Sequence, residues 1–186
     1  MAGMEVTFPL CTDRLLLRDF VPVDVERVQA FAGDPEVTRF THWGPNSIAD
    51  SEAFVRAAAG QARDPARQAF DLAAVTRADD VLIGSAAIRV EDPAHRRGEI
   101  GMVFHRSAWG KGYATEALRA LIRFGFDELG LRRIAATCHP DNLASAGALV
   151  KAGLRPEGRL RGHLQTRTGP RDSLLFAILP TDLPPP

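Results

Sequence analysis

The sequence carries no net charge, because 23 lysines and arginines offset 23 aspartates and glutamates. A nucleic-acid binder usually shows a basic excess, so this balance argues against one while leaving room for a local basic patch around a small anion. No apolar run approaches the roughly 20 residues that a membrane span needs. The N-terminus lacks a basic stretch followed by an apolar segment, so no signal peptide is expected and the protein is predicted to be cytoplasmic. Cysteine is scarce. Cys11 and Cys138 lie in apolar surroundings, and two buried thiols are expected rather than a disulfide. His42, His95, His105, His139 and His163 are scattered, and no Cys/His cluster has metal spacing, so no metal is expected. No internal repeat or long linker divides the chain.

What remains describes one soluble domain over residues 1–186, with 45% hydrophobic and 25% charged residues and a frayed proline-rich tail at 179–186. Strands are predicted at 14–20, 68–76, 81–90, 133–138, 154–163 and 173–179, besides one entering the turn near residue 104. Helices are predicted at 22–32, from a Ser47 N-cap to about 60, from about 113 to 129, and at 142–152 with Gly153 as its left-handed cap. Ala114, Ala117, Leu118, Leu121, Ile122 and Gly125 form an apolar stripe on the third helix, which turns Arg119 and Arg123 outward. This order predicts an α/β (α+β) fold: a mixed, mostly antiparallel sheet with one central right-handed β-α-β crossover.

The most informative stretch runs from Glu99 to Ala117. A strand with Ile100, Met102, Val103 and Phe104 feeds the turn Trp109-Gly110-Lys111-Gly112-Tyr113-Ala114, and a helix follows. Free N–H groups and the helix dipole make such a junction an anion site. A Walker A loop requires Ser or Thr after the lysine, but Gly112 stands there. A dinucleotide fingerprint requires a third glycine, but Thr115 stands there. A ligand-free glycine turn also remains open on these residues alone.

The segment resembles the GNAT superfamily of N-acetyltransferases, whose loop reads Gln/Arg-x-x-Gly-x-Gly/Ala. Gly112 and Ala114 match that pattern. Trp109 departs from it in the manner of the RimJ/RimL-like branch, which acetylates ribosomal-protein N-termini. His139-Pro140-Asp141-Asn142-Leu143-Ala144-Ser145 and Lys151-Ala152-Gly153-Leu154 are similar to that branch's second motif. Arg14-Leu15-Leu16-Leu17-Arg18 and Arg171-Asp172-Ser173-Leu174-Leu175 also resemble it, so the likeness covers nearly the whole chain.

The resemblance implies a GNAT-type domain with splayed strands, acetyl-CoA as cosubstrate, and a primary amine as acceptor, either a protein N-terminus or a small amine. Homodimers are common among such enzymes. Residues Trp109, Gly110, Lys111, Gly112, Tyr113, Ala114 and Thr115 would hold the pyrophosphate, with Lys111 and Arg106 as sources of positive charge. Met102, Val103 and Phe104 would run beside the pantetheine arm. The N–H of Val103 or its neighbour would polarise the thioester carbonyl. Asn142 is a pantetheine contact or a helix cap. Glu99 is the candidate base, with His139 as its rival. Ser145 is the candidate thiolate partner, because Leu149 occupies the place where other family members carry a tyrosine. Phe40, His42 and Trp43, with the loop at 163–172, line an acceptor groove or pack locally. A non-catalytic CoA-binding domain and a nucleotide-binding module stay open as alternatives.

Acceptor chemistry also bears on the base. An α-amine of pKa about 7.7–8.0 costs about 1.4 kcal/mol to neutralise at pH 7, and a lysine at about 10.4 costs about 4.6 kcal/mol. A weak base suffices for the first.

Overall fold

A computed structural model describes residues 8–166 and 169–183. One sheet of eight strands runs in the order β1-β2-β3-β4-β5-β6-β8-β7. The strands are β1 (Leu10–Cys11), β2 (Leu15–Asp19), β3 (Ala69–Thr76), β4 (Leu82–Asp92), β5 (Arg97–Phe104), β6 (Arg133–Cys138), β7 (Arg155–Thr166) and β8 (Gly169–Ile178). Helices α1 (Val25–Ala32), α2 (Pro35–Thr38) and α3 (Ile48–Gln61) precede β3. Helix α4 (Tyr113–Asp127) joins β5 to β6, and α5 (Leu143–Ala152) joins β6 to β7. All strand pairs are antiparallel except β5–β6, the β-α-β crossover.

Strand alternation splits the apolar residues into two cores, one on each face of the sheet. Leu15, Leu17, Leu72, Ile88, Ile100 and Phe104 belong to the first, together with Ala117, Leu118, Leu121 and Ile122 of α4. Phe20, Ala73 and Val75 form the second with Val28 and Phe31 of α1 and Val55 of α3. Arg119 and Arg123 of α4 are exposed, as the helical spacing requires. Gly125 brings α4 onto the sheet: a Cβ there would lie 2.7 Å from both Ile88 and Ile134.

The parallel pairing of β5 with β6 covers only Arg97–Arg133, Gly98–Ile134 and Glu99–Ala135. Beyond Glu99, β5 stays paired with β4 as far as Phe104, while β6 stays paired with β8 as far as Cys138. The two strands therefore part, and the split between them positions the site.

Four expectations change. Cys138 is buried but Cys11 is exposed, because β1 is a two-residue edge strand in which Leu10 packs against the first core and Cys11 alternates to the other side. The first helix ends at Ala32 as predicted, but an unpredicted helix, α2, follows at once: Asp34 caps it by accepting from the Glu36 N–H at 2.9 Å, and Pro35 suits the first helical position. Residues 163–166 and 169–172 are not a loop but the outer part of the β7–β8 hairpin; residues 167–168 lie outside the described residues. The start of the tail is not frayed. Pro180–Asp182 form a 3-10 turn, Asp182 pairs with Arg155 at 2.8 Å, and Leu183 packs against the first core. Residues 184–186 lie outside the described residues. No described helix is long and apolar enough to cross a membrane.

Candidate functional site

The His105 N–H bonds to the Ile83 carbonyl at 2.8 Å, so it points toward β4. Successive residues of a strand direct their backbone groups to opposite sides. Val103 therefore also turns its N–H and C=O toward β4, and its carbonyl lies 2.4 Å from where a Cβ of Gly84 would stand. Met102 and Phe104 turn theirs toward the split, where Trp109 Nε1 donates to the Phe104 carbonyl at 2.8 Å. This corrects the Val103 expectation: its amide belongs to the β4 ladder, and the neighbouring Met102 amide faces the gap.

At the far end of β5, Gly110 (φ 71°) and Gly112 (φ 83°) adopt left-handed conformations that other residues rarely take. Gly112 is the N-cap of α4, and no side chain caps the helix. The first-turn amides of Tyr113, Ala114 and Thr115 thus keep their donors, with the positive end of the helix dipole behind them.

Arg14 braces this loop from outside. Its Nη1 donates to the Lys111 carbonyl at 2.9 Å, and its guanidinium lies 4.6 Å from the Tyr113 ring centroid. Glu116 in the first turn of α4 accepts from the Thr12 hydroxyl at 2.6 Å, the Arg14 N–H at 2.8 Å and Arg14 Nε at 2.7 Å. Burial raises the Glu116 pKa, but these three bonds outweigh it and hold the carboxyl below its ordinary range. Glu116→Ala is expected to cost about 2–4 kcal/mol, since hydrogen bonds to a charged group contribute about 1.5–3 kcal/mol each and the freed partners regain water. Urea unfolding measures the loss, and an unchanged midpoint would show that the brace contributes nothing.

Between split and loop lies a cavity of about 1420 Å³, larger than a typical small-ligand site and roomy enough for a long cosubstrate plus an acceptor. Glu99, Met102, Val103 and Phe104 line it from β5. Trp109, Gly110, Gly112, Ala114 and Thr115 line it from the loop and α4, and Asn142 and Ser145 from the start of α5. Lys111 and Tyr113 do not line it. Lys111 is exposed, and Tyr113 packs beneath Arg14. Arg106 is not a free cation, for it pairs with Asp34 at 2.7 Å. Asn142 Oδ1 accepts from the Ser145 N–H at 3.0 Å, so the oxygen is a helix cap. Leu149 is buried.

Glu99 stands where β5 and β6 separate, half-buried on the α1–α3 face. Its carboxylate accepts from the Thr137 hydroxyl across the split at 3.4 Å. Burial pushes its pKa up, the nearby Glu91 charge adds to this, and Thr137, His163 and Arg89 oppose it. A carboxyl raised in this way is a stronger proton acceptor than an exposed one. Asp71 and Arg89 share its face and pair at 3.2 Å.

Phe40, His42 and Trp43 lie on the α2–α3 connection and line the same cavity. Phe40 packs against His139 with the rings tilted by 38° and their centroids 5.0 Å apart. His139 Nδ1 accepts from the Asp141 N–H at 3.0 Å, which ties up that nitrogen in the turn after β6. Trp43 packs against the second core, and His42 is exposed. Among the described residues, no group of three or more His, Cys, Asp or Glu is arranged to hold a metal ion. Thr137, Arg14 and Arg171 complete the surroundings of the site. Arg14 and Arg171 open segments that carry the resemblance, but their contacts with the site, like that of Thr137, are not legible in the sequence, because each reaches it from a strand or turn distant along the chain.

Known proteins are similar to this chain over most of its length. Residues 14–155 match the model of the acetyltransferase (GNAT) domain family. The uncharacterized N-acetyltransferase YnaD of Bacillus subtilis is 33% identical over 170 residues, 91% of this chain and 96% of that one. A GNAT-family acetyltransferase from Bacillus anthracis superposes with a TM-score of 0.82 at 28% identity, covering 92% of this chain and 98% of the other. RimJ of Mycobacterium smegmatis, solved in complex with CoA-disulfide, gives 0.80 at 25% identity over 92% of this chain and 84% of its own. With a family match across most of the chain and a relative aligned nearly end to end, this protein belongs to the GNAT family of acetyltransferases.

Proposed function

We propose that this acetyltransferase moves the acetyl group of acetyl-CoA directly onto a primary amine, with a protein N-terminal α-amine as the leading acceptor and a small amine as the alternative. One observation carries the reading: strands β5 and β6 part beside the uncapped N-terminus of α4, with Glu99 at the point of separation.

The amides of residues 110–115 hold the pyrophosphate. The free edge of β5 pairs with the pantetheine arm, and Asn142 offers it an amide N–H₂ group. The Met102 N–H donates to the thioester carbonyl oxygen as negative charge develops there, an interaction typically worth about 2.7–4 kcal/mol. The amine nitrogen attacks the carbonyl carbon and gives its proton to Glu99. The carbon–sulfur bond then breaks, and Ser145 Oγ donates toward the leaving thiolate. The products are an N-acetyl amine and CoA. The half-buried base and an α-amine of pKa about 7.7–8.0 are matched, because the neutral amine is already present at about a tenth. The resemblance of the loop to the RimJ/RimL-like branch supports the N-terminal acceptor. The same reading places the protein in the cytoplasm.

Thiol release from acetyl-CoA, measured against N-terminal peptides, amino acids and polyamines, tests the activity. Turnover with at least one class is expected. CoA binding without turnover on any of them would make the protein a CoA-binding domain instead. Ser145→Ala is expected to lower kcat about 10²-fold, the lower end for acid–base assistance, with CoA affinity by calorimetry unchanged. An unchanged kcat would remove Ser145 from the mechanism.

A further inference from the structure

Arg171 stands on β8 opposite Leu164 of β7, beyond Leu174, the last residue of β8 that pairs with β6. The hairpin has left the main sheet at this point, and Arg171 lines the acceptor end of the cavity. Its Nη1 donates to the backbone carbonyls of Phe40 at 2.9 Å and Thr41 at 3.1 Å. Its Nε is buried and has no hydrogen-bond partner, the one side-chain polar atom of that kind among the described residues. No carboxylate among the described residues pairs with this guanidinium, while most other arginines near the site, including Arg14, Arg89 and Arg106, have one. Arg171 therefore brings an uncompensated positive charge to the cavity wall and is the half-buried one, since Arg39 and Lys151, which also line the cavity without a carboxylate partner, are exposed.

A partly desolvated guanidinium without a counter-charge is costly unless an anion completes it. Nη1 is occupied by the loop carbonyls and Nε is enclosed by protein, so Nη2 is the donor left to make a charge-assisted hydrogen bond to a carboxylate. Glu99, with Glu91 near it, brings negative charge to the same cavity. A cavity wall that carries both carboxylates and a guanidinium without a carboxylate partner matches a molecule that carries both an amine and a carboxylate.

We propose that Arg171 binds a carboxylate of the acceptor, so that the preferred substrate is a primary amine bearing a nearby carboxylate. This rests on the acetyltransferase reading above. Two sources offer that chemistry: a free amino acid, or a peptide whose first residue is Asp or Glu. The loop bonds of Nη1 make Arg171 a clasp as well, because they fix Phe40 against His139 at the same end of the cavity.

The test compares matched pairs that differ only in the carboxylate. Free amino acids are set against their amides, and peptides beginning with Asp or Glu against those beginning with Asn or Gln. The carboxylate member is expected to show a kcat/KM about 10–100-fold higher, in whichever arm is the true source. Arg171→Gln is expected to shrink the preference by raising KM for the acid member far more than for the neutral one, whose smaller loss reports the clasp. Arg171→Lys, which keeps the charge without the planar guanidinium, is expected to restore part of it. A purely structural role would damage both members alike, and that result overturns the proposal. Equal use of both members by the native protein, or a preference for polyamines, overturns it too. Calorimetric binding of the same pairs to CoA-saturated protein reads the preference without turnover. Failure to bind CoA at all would instead sink the acetyltransferase mechanism proposed above.

Discussion

Glu99→Gln is expected to lower kcat by about 10²–10⁴-fold at neutral pH, the range for loss of a positioned general base. It is also expected to change the pH profile. Burial, then the Glu91 charge, raises the Glu99 pKa above its ordinary value. The carboxylate can accept a proton only once it is ionised, so native activity should climb as pH rises through this raised pKa. The glutamine variant should lose that limb and keep only the one set by the amine.

Stability should move the other way. A group whose pKa is raised by folding stabilises the native state below its unfolded pKa, and that contribution is lost as pH rises through the folded value. Above its raised pKa the ionised Glu99 is thus a liability to the fold. The glutamine variant should melt no lower than the native protein there, while at acid pH the advantage disappears. Loss of activity without loss of melting temperature marks a functional carboxylate. Wild-type kcat together with a persisting acid limb would move the base to another group.

Leu121→Ala is expected to destabilise the protein by about 2–5 kcal/mol, the range for removing a large buried aliphatic side chain. Leu121 is fully buried on α4. It packs in the same core as Leu118, Ile122, Ile88 and Ile134, and close packing leaves few atoms free to fill the void. For a domain of this size, the melting temperature should fall by about 4–20 °C. The effect reaches function through α4, because its first turn carries the amides of the anion loop. Saturating CoA should recover part of the loss, since a ligand that binds only the native state stabilises it. A fall under about 1 kcal/mol would mean that the core closes over the gap and α4 is held mainly by its ends.

Much of the fold was legible along the chain. The apolar stripe on α4 is set by a period near 3.6: the predicted positions 117, 118, 121, 122 and 125 are buried, Phe124 is buried beside them outside the predicted stripe, and Ala114 is half-buried. Ser47 and Gly153 cap their helices as their chemistry suggests. The outer β7–β8 hairpin was less legible, because β7 is almost wholly exposed and carries no alternating apolar signal. Two extra residues of β7 are accommodated between Leu160 and Leu164, where Gly162 (φ 58°) donates its N–H to Asp172 at 2.8 Å. That bulge depends on a partner ten residues away, which local pattern does not reveal.

The sequence by itself determined the class of fold, the family and the glycine turn at residues 109–115, because these follow from local periodicity, glycine conformation and short contiguous motifs. Only the tertiary structure decided which backbone amide faces the split, since the direction of Val103 and Met102 depends on the register of β5 against β4. It also decided the charge state of the site. Arg106 loses its free charge to Asp34, Asn142 gives its oxygen to a helix cap, and Arg171 arrives from the far end of the chain without a carboxylate. Such assignments depend on which side chains meet within about 3 Å, the reach of a hydrogen bond, and linear spacing carries no information at that scale.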